Sequence, residues 1–86
     1  MDDKYRVRFY ENGYEIDNAS FCDEDFVKAK IKARSIIKKA IDEYESKSDF
    51  VYVHIDQDRE HEFYLLLDRT TKTSACLSFV IEKEVQ

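Results

Sequence analysis

Residues 5–16 read YRVRFYENGYEI, and this stretch decides how the fold begins. Tyr5, Val7 and Phe9 alternate with polar neighbours, which is the period-two pattern of a strand with one buried side. Asn12 and Gly13 then form the dipeptide most typical of a two-residue hairpin turn, because both central positions of a type I′ turn need a positive φ. Gly13 is the only glycine in the sequence, which favours this backbone role for it.

The two-residue turn also predicts the pairing of the hairpin. We expect the second strand to end near Ala19, with the cross-strand partners Glu11–Tyr14, Tyr10–Glu15, Phe9–Ile16 and Arg8–Asp17. This register places two apolar residues together on one face and an opposite-charge pair on the other, and both arrangements stabilise sheets.

A long helix is predicted to follow. Ser20 and Asp23 match a capping box, and acidic residues at 23–25 suit the first turn of a helix. From there to about Ser46 the chain has no glycine or proline and a 3.6-residue rhythm. The apolar stripe of this helix contains Phe26, Ala29, Ala33, Ile37, Ala40, Ile41 and Tyr44, with Ile36 at its edge.

Three further alternating segments with short polar connections predict three more strands, near residues 51–56, 63–68 and 75–81. The element order β-β-α-β-β-β predicts one α+β domain over residues 1–86, a two-layer sandwich of one long helix on a five-stranded, mainly antiparallel sheet. The side chains expected to face the helix are Tyr5, Val7, Phe9, Ile16, Val51, Val53, Ile55, Phe63, Leu65, Leu67, Leu77, Phe79 and Ile81.

Length and composition narrow the class of protein. The 86 residues are 43% hydrophobic and include twelve aromatic side chains, which suits one small globular domain. The longest uncharged run, residues 73–81, is far shorter than the roughly 20 residues of a membrane helix. The acidic start at Met1 to Lys4 does not resemble a secretory signal, and two cysteines form no disulfide framework. We therefore expect a cytoplasmic protein without a membrane segment.

Charge is distributed unevenly along the chain. Residues 28–39 carry six basic and no acidic side chains, whereas the formal net charge of the whole protein is −5. The acidic total disfavours long-range attraction to nucleic acid or anionic lipid. Two acidic clusters stand out: Asp23, Glu24 and Asp25 in the predicted first turn of the helix, and Asp56, Asp58, Glu60 and Glu62 around a hairpin.

One helix covers only one face of a sheet, so the uncovered face is the predicted binding site. Strict alternation places Arg6, Arg8, Tyr10, Tyr52, His54, Tyr64 and Leu66 there. Tyrosine and arginine are enriched where proteins dock. The competing interpretation is that cross-strand aromatic pairs only stabilise the sheet.

Other functions have weaker support. Lys28, Lys32 and Lys39 on the outer helix face could contact phosphates, and the sheet face could stack bases, so nucleic-acid binding is the alternative function. His54, Asp56, Asp58 and His61 match no metal-binding spacing, and we expect no metal or cofactor. The sequence contains no glycine-rich phosphate loop, and Cys76 with His54 lacks an orienting group, so we expect no enzyme.

The sequence therefore predicts a small acidic, non-enzymatic module that binds another protein. An inhibitor, immunity or phage-type anti-defence protein, or an adaptor, would fit this description. The acidic clusters could engage a basic surface, such as that of a nucleic-acid-binding protein, and speed encounter with it. A homodimer stays open, because an edge strand can pair with a second copy.

Overall fold

The computed structural model describes residues 4–84, except for the side chain of His54. The acidic start at residues 1–3 lies outside the described part. The elements are β1 (Lys4–Glu11), β2 (Tyr14–Glu15), a 3₁₀ turn (Asp17–Ala19), β3 (Phe21–Asp23), α1 (Phe26–Lys47), β4 (Phe50–Gln57), β5 (His61–Asp68) and β6 (Ser74–Glu84). The α+β prediction is confirmed, because α1 packs on one face of an antiparallel sheet.

The strand order is β2-β1-β6-β5-β4, and β3 also pairs with β1, beside β2. Six strands are therefore present between residues 4 and 84, and the predicted count of five is wrong by the short strand β3. The last strand, β6, lies in the middle of the sheet. It pairs with β1 along eight residues, from Lys4 opposite Glu84 to Glu11 opposite Leu77, and with β5 on its other side.

The predicted hairpin turn is confirmed, but its second strand is short. Tyr10 pairs with Glu15 and Glu11 with Tyr14, and the turn residues Asn12 and Gly13 have φ values of 52° and 86°. β2 ends at Glu15, and the chain then forms the 3₁₀ turn. The predicted Arg8–Asp17 pair is therefore wrong, because Asp17 has already left the sheet.

The helix begins five residues later than the start predicted from the capping box at Ser20. Residues 21–23 are instead the strand β3, which pairs with Tyr5 to Val7 of β1. Asp25 is the N-cap, and its Oδ1 accepts hydrogen bonds from the amides of Val27 (2.9 Å) and Lys28 (3.2 Å). Ser20 and Asp25 are both favourable N-cap residues. The helix begins after Asp25 because residues 21–23 pair with β1 instead of entering the helix.

The core lies between α1 and the sheet face that α1 covers, called the helix-side face below. The short side chains of Ala29 and Ala33 allow the helix to approach the sheet closely. The fully or nearly fully buried residues of the core are Val7, Phe9, Ala29, Ala33, Ile37, Tyr64, Leu66, Leu77, Phe79 and Ile81. The predicted helix stripe and the predicted inward residues of β1 and β6 are confirmed.

The facing of β5 is the opposite of the prediction. Glu62, Tyr64, Leu66 and Asp68 are buried on the helix side, whereas Phe63, Leu65 and Leu67 were expected there. The cause is the five-residue connection between β5 and β6, which pairs Leu67 with Ser74. Each odd-numbered residue of β5 is therefore opposite an even-numbered residue of β6. The predicted facing would need odd-numbered residues of β5 opposite odd-numbered residues of β6.

The edge strand β4 contains an irregularity that changes its facing midway. Tyr52 is opposite Leu66, but the next pair is His54 with Leu65, so the register skips Val53. Such a bulge inserts one residue and shifts the alternation by one position. Tyr52 and Ile55 therefore both lie on the helix-side face. The predicted facing is correct for Ile55 and wrong for Tyr52. Val51, predicted to face the helix, lies opposite Leu67 on the other face.

Candidate functional site

The sheet face opposite α1, called the open face below, is the candidate site. Its composition follows from the registers of the four long strands. The half-buried or exposed side chains on it include Arg6, Arg8 and Tyr10 of β1, Cys76, Val80, Glu82 and Glu84 of β6, His61, Phe63, Leu65 and Leu67 of β5, and Val51 and Asp56 of β4. The open face thus spans the sheet from β1 to β4.

Of the seven predicted binding residues, three lie on the open face, three lie on the helix-side face, and His54 has no described side chain. Arg6, Arg8 and Tyr10 lie on the open face as predicted. Tyr64 and Leu66 are buried beneath α1, and Tyr52 points to the same side, with its ring centroid 6.1 Å from that of Tyr64. The prediction for these three is wrong, because the connection after β5 reverses the facing of that strand. The side chain of His54 lies outside the described part of the structure.

An apolar strip replaces the tyrosines that were predicted for the open face. Phe63, Leu65 and Leu67 follow one another along β5, flanked by Val51 of β4 and Val80 of β6, and all five side chains are half-buried. Sequence reasoning missed the first four because it assigned them to the core. The charge of Glu62 was the signal that could have found them, since a carboxylate beneath the helix would need nearby cations and Lys30 and Arg34 of α1 supply them.

A charged flank lies beside the apolar strip, on β1 and β6. Arg6 forms an ion pair with Glu84 (2.5 Å), and Arg8 contacts both Glu15 (3.1 Å) and Glu82 (3.4 Å). These hydrogen bonds raise the pKa of both guanidinium groups. Exposed ion pairs contribute little stability, but these pairs engage both guanidinium groups with carboxylates of the protein itself. The two arginines are therefore not free cations awaiting an anionic ligand.

The acidic clusters come together at the end of the molecule where α1 begins. Lys30 Nζ donates hydrogen bonds to the carbonyl oxygens of Asp58 (3.2 Å) and Arg59 (2.9 Å), which holds the β4–β5 hairpin against the helix. The Arg59 guanidinium also stacks 4.9 Å from the ring centre of Phe26, the residue after the N-cap. The carboxylates of Asp23, Glu24 and Asp25 and of Asp58 and Glu60 thus belong to one end of the protein.

Glu62 does not belong to that exposed surface, contrary to the prediction. Its carboxylate is fully buried and accepts hydrogen bonds from Arg34 Nε (3.0 Å), Arg34 Nη2 (2.6 Å) and the Tyr64 hydroxyl, with Lys30 Nζ at 3.6 Å. Burial raises the pKa of this carboxyl, but the hydrogen bonds from Arg34 and Tyr64 outweigh that effect and lower it overall. Burial, together with the hydrogen bond to Glu62, raises the pKa of Tyr64.

The buried carboxylate should make the stability of the protein depend on acidic pH. Because the pKa of Glu62 is lower in the folded state, its contribution is complete above the unfolded value of about 4.3 and is lost as pH falls below it. We expect chemical denaturation of Glu62→Gln to show a weaker loss of stability between pH 5 and pH 3 than wild type shows. Asp58→Asn, which changes an exposed carboxylate of the same hairpin, should leave the acid limb unchanged. Equal acid sensitivity of Glu62→Gln and wild type would contradict this role for Glu62.

The basic helix face is partly committed to internal contacts. Lys30 and Arg34 bind Glu62, and Lys32 Nζ lies 4.6 Å from the ring centre of Phe21. Of the three lysines predicted as phosphate contacts, Lys28 and Lys39 have no such partner among the described residues, and both are exposed.

A metal site has no support in the described residues, because no group of three or more His, Cys, Asp or Glu side chains among them is arranged to hold an ion. In the same part of the chain, no helix combines the length and the apolar character needed to span a membrane. Comparison of the chain with protein-family models, with curated proteins and with solved structures gives no match.

Proposed function

We propose that the chain is a small non-enzymatic module that binds another protein through its open face. The observation that carries the proposal is the apolar strip of Val51, Phe63, Leu65, Leu67 and Val80, which lies on the side of the sheet that α1 leaves uncovered. In a strand with one buried and one solvated face, apolar residues that point into the core normally alternate with polar residues that point to solvent. Here the open face of β5 instead presents three apolar side chains in succession, Phe63, Leu65 and Leu67.

The arrangement of the open face resembles a protein interface more than a solvated sheet. Interfaces combine an apolar centre with a polar rim, and their central anchors include aromatic side chains. Phe63 lies in the strip, and the ion-paired Arg6 and Arg8 lie on the flank. Burying a fully exposed large apolar side chain is worth about 1.5–3 kcal/mol, and docking would add for each half-buried residue of the strip only the part of this value that belongs to its remaining exposed area.

The charge of the chain favours a basic partner. The formal net charge of −5 and the carboxylates gathered near the start of α1 would speed encounter with a positively charged protein. A nucleic-acid-binding protein has such a surface. An inhibitor, immunity or anti-defence protein, or an adaptor subunit, works in this manner by occupying a partner's surface.

Nucleic-acid binding is the weaker proposal. Stacking of bases on the sheet would use exposed aromatic rings, and Tyr52 and Tyr64 lie on the helix side instead. On the outer helix face, Lys32 already contacts Phe21, which leaves Lys28 and Lys39 as the predicted phosphate contacts. Two such contacts give only a small electrostatic contribution in a protein with a net negative charge.

A photo-crosslinking experiment tests the open face directly. We expect Phe63→benzoylphenylalanine, irradiated in cells of the source organism, to crosslink to one partner protein that mass spectrometry then identifies. Adding Leu65→Glu in the middle of the strip should abolish this crosslink while the variant keeps its cooperative thermal unfolding. The matched control is Tyr14→benzoylphenylalanine, which places the same probe at an exposed position next to the hairpin turn and should not capture that partner.

Several outcomes would overturn the proposal. One is a crosslink pattern from position 63 that equals the pattern from position 14. A second is a position-63 crosslink that survives Leu65→Glu. A third is a nuclease-sensitive product, which would instead support nucleic-acid binding. A fourth is a crosslink to a second copy of this chain alone, which would make the open face a self-association surface.

A further inference from the structure

The helix-side face of the sheet is wider than the one helix that covers it. Neighbouring strands lie about 4.8 Å apart and a helix is about 10 Å across, so α1 shields little more than two strands along most of its length. The core residues of β1 and β6 are at most 3% exposed, whereas Tyr52 and Ile55 of β4 are 37% and 38% exposed. α1 reaches β4 near its C-terminal end, where Tyr44 packs edge-on against Phe50. The helix-side face therefore stays uncovered beside the first half of α1.

The uncovered area forms a groove between the first half of α1 and β4, called the α1–β4 groove below. Its floor is the buried network around Glu62, to which Lys30 and Arg34 of α1 and the hydroxyl of Tyr64 all contribute. The ring of Tyr52 extends this floor toward the edge of the sheet, with its centroid 6.1 Å from that of Tyr64. The groove thus has α1 as one wall and the outer strand as its other limit.

The wall that α1 contributes has the spacing of a helix–helix contact. Lys30 and Arg34 identify this side of the helix, because both side chains reach Glu62 on β5. A row of side chains at alternating steps of four and three residues runs along the same side: Val27, Ile31, Arg34, Lys38, Ile41 and Glu45. Such steps are typical of side chains that face a neighbouring helix. The row therefore indicates that a second helix would fit beside α1.

Apolar side chains line the groove on both sides and are solvated. Val27 and Ile31 of α1 are exposed, as are Tyr52 and Ile55 across the groove. Together they make up four of the six large hydrophobic side chains exposed within residues 4–84. Singly exposed apolar residues are ordinary, but a group of them around one groove is typical of an interaction site.

We propose that a helix of a partner protein packs beside α1 in the α1–β4 groove, and that its contacting face is apolar and acidic. The charges of the wall select this chemistry. Lys30 and Arg34 together exceed the single charge of the buried Glu62 by one, and the exposed Lys38 adds a further positive charge in the same row. Acidic side chains of the incoming helix would lie opposite Arg34 and Lys38, while its apolar side chains would cover the exposed apolar group.

The same charges disfavour a second copy of α1 as the occupant. Residues 28–39 carry six basic side chains and no acidic one, so a two-fold pairing of α1 with its own copy would bring like charges together. The groove is also separate from the open face, which lies on the other side of the sheet. This proposal therefore goes beyond the proposed function and does not depend on it.

Binding of a model helix tests the groove. The probe is a capped peptide with three repeats of Leu-Glu-Glu-Leu-Ala-Lys-Glu, labelled for fluorescence anisotropy and titrated with the protein. We expect saturable binding with a dissociation constant on the order of 100 μM, because the peptide loses conformational freedom as it docks. Ile31→Glu, on the wall of the groove, should weaken binding about tenfold without changing the melting temperature, since Ile31 is exposed. Lys38→Glu should weaken it about threefold.

Two comparisons separate local contacts from long-range attraction. The matched variant is Ser35→Glu, which adds the same charge at an exposed position on the outer face of α1 and should bind the peptide as wild type does. The matched peptide has every Glu exchanged for Lys and every Lys for Glu. The net charge of −5 favours this basic peptide at long range, so weaker binding in Ile31→Glu for the acidic peptide alone would report on the groove.

Several results would overturn the proposal. No binding of the acidic peptide at 1 mM protein excludes it, and so does equal binding by Ile31→Glu and wild type. Dimerisation through Ile31 without peptide would make a second copy the occupant. Ile31-dependent binding to anionic phospholipid vesicles, without peptide binding, would make it a membrane surface. Leu65→Glu should bind the peptide as wild type does while losing the crosslink at position 63, and loss of peptide binding in this variant would place the peptide on the open face.

Discussion

Replacing Leu66 with alanine is expected to destabilise the protein by about 3 kcal/mol, within the range for a leucine truncated in a packed core. Leu66 is fully buried between α1 and the sheet, so its removal would leave a cavity. The neighbouring residue provides the matched control. Leu65 is half-buried on the open face, and Leu65→Ala should cost only about 1 kcal/mol.

Urea denaturation of the two variants measures this difference directly. The comparison is sharp because the substitutions are identical in chemistry and adjacent in sequence. Similar losses of stability in both variants would mean that both faces of β5 are packed, and the open face would then not be available to a partner. A larger loss for Leu65→Ala than for Leu66→Ala would mean that the facing of β5 is reversed.

Removing the cation that neutralises Glu62 should have an effect of similar size. In Arg34→Met the buried carboxylate keeps only the Tyr64 hydroxyl and the more distant Lys30, and a buried charge without its main partner typically costs 3–5 kcal/mol. Because Lys30 remains nearby, we expect a loss of about 3 kcal/mol at pH 7. Methionine keeps an unbranched apolar stem and the helix propensity of arginine while removing the guanidinium group, so the loss reports mainly on the missing cation.

Two further variants isolate that cause. Lys38→Met makes the same kind of change at an exposed position of α1 and should alter stability by no more than about 0.5 kcal/mol. Adding Glu62→Gln to Arg34→Met removes the unpaired charge and should restore part of the lost stability. The interpretation is wrong if Arg34→Met is no more destabilising than Lys38→Met, or if the double variant is less stable than the single one.

The start of the fold was predictable because its signals are local. Asn12 and Gly13 specify a turn that few other dipeptides form, and the turn fixes the pairing of the residues on either side of it. The helix stripe was equally clear, since it repeats over six turns without interruption. The position of Arg6, Arg8 and Tyr10 on the open face followed from the strict alternation of β1.

The facing of β5 could not be derived in this manner. Residues 63–67 are all apolar, so alternation does not distinguish the two faces. The choice depends on whether the connection to β6 gives an odd or even register and on whether Glu62 finds its cations beneath the helix. The bulge at Val53 could not be predicted from local sequence either, because a bulge is defined by the pairing of its strand with another strand. The predicted placement of Tyr52 and Tyr64 on the open face is wrong for this reason, whereas the expectation of an uncovered second face did not depend on it.

The central position of β6 has a consequence for how the protein is made. Arg6 and Glu84 are 78 residues apart along the chain yet form an ion pair across neighbouring strands. During translation, β1 and the β4–β5 hairpin therefore cannot join into one sheet until β6 emerges from the ribosome and pairs with both. Contacts so distant in sequence close slowly. Until that insertion, Val7, Phe9 and Leu66 have no central strand to pack beside, and their apolar side chains are less protected from solvent than in the folded protein.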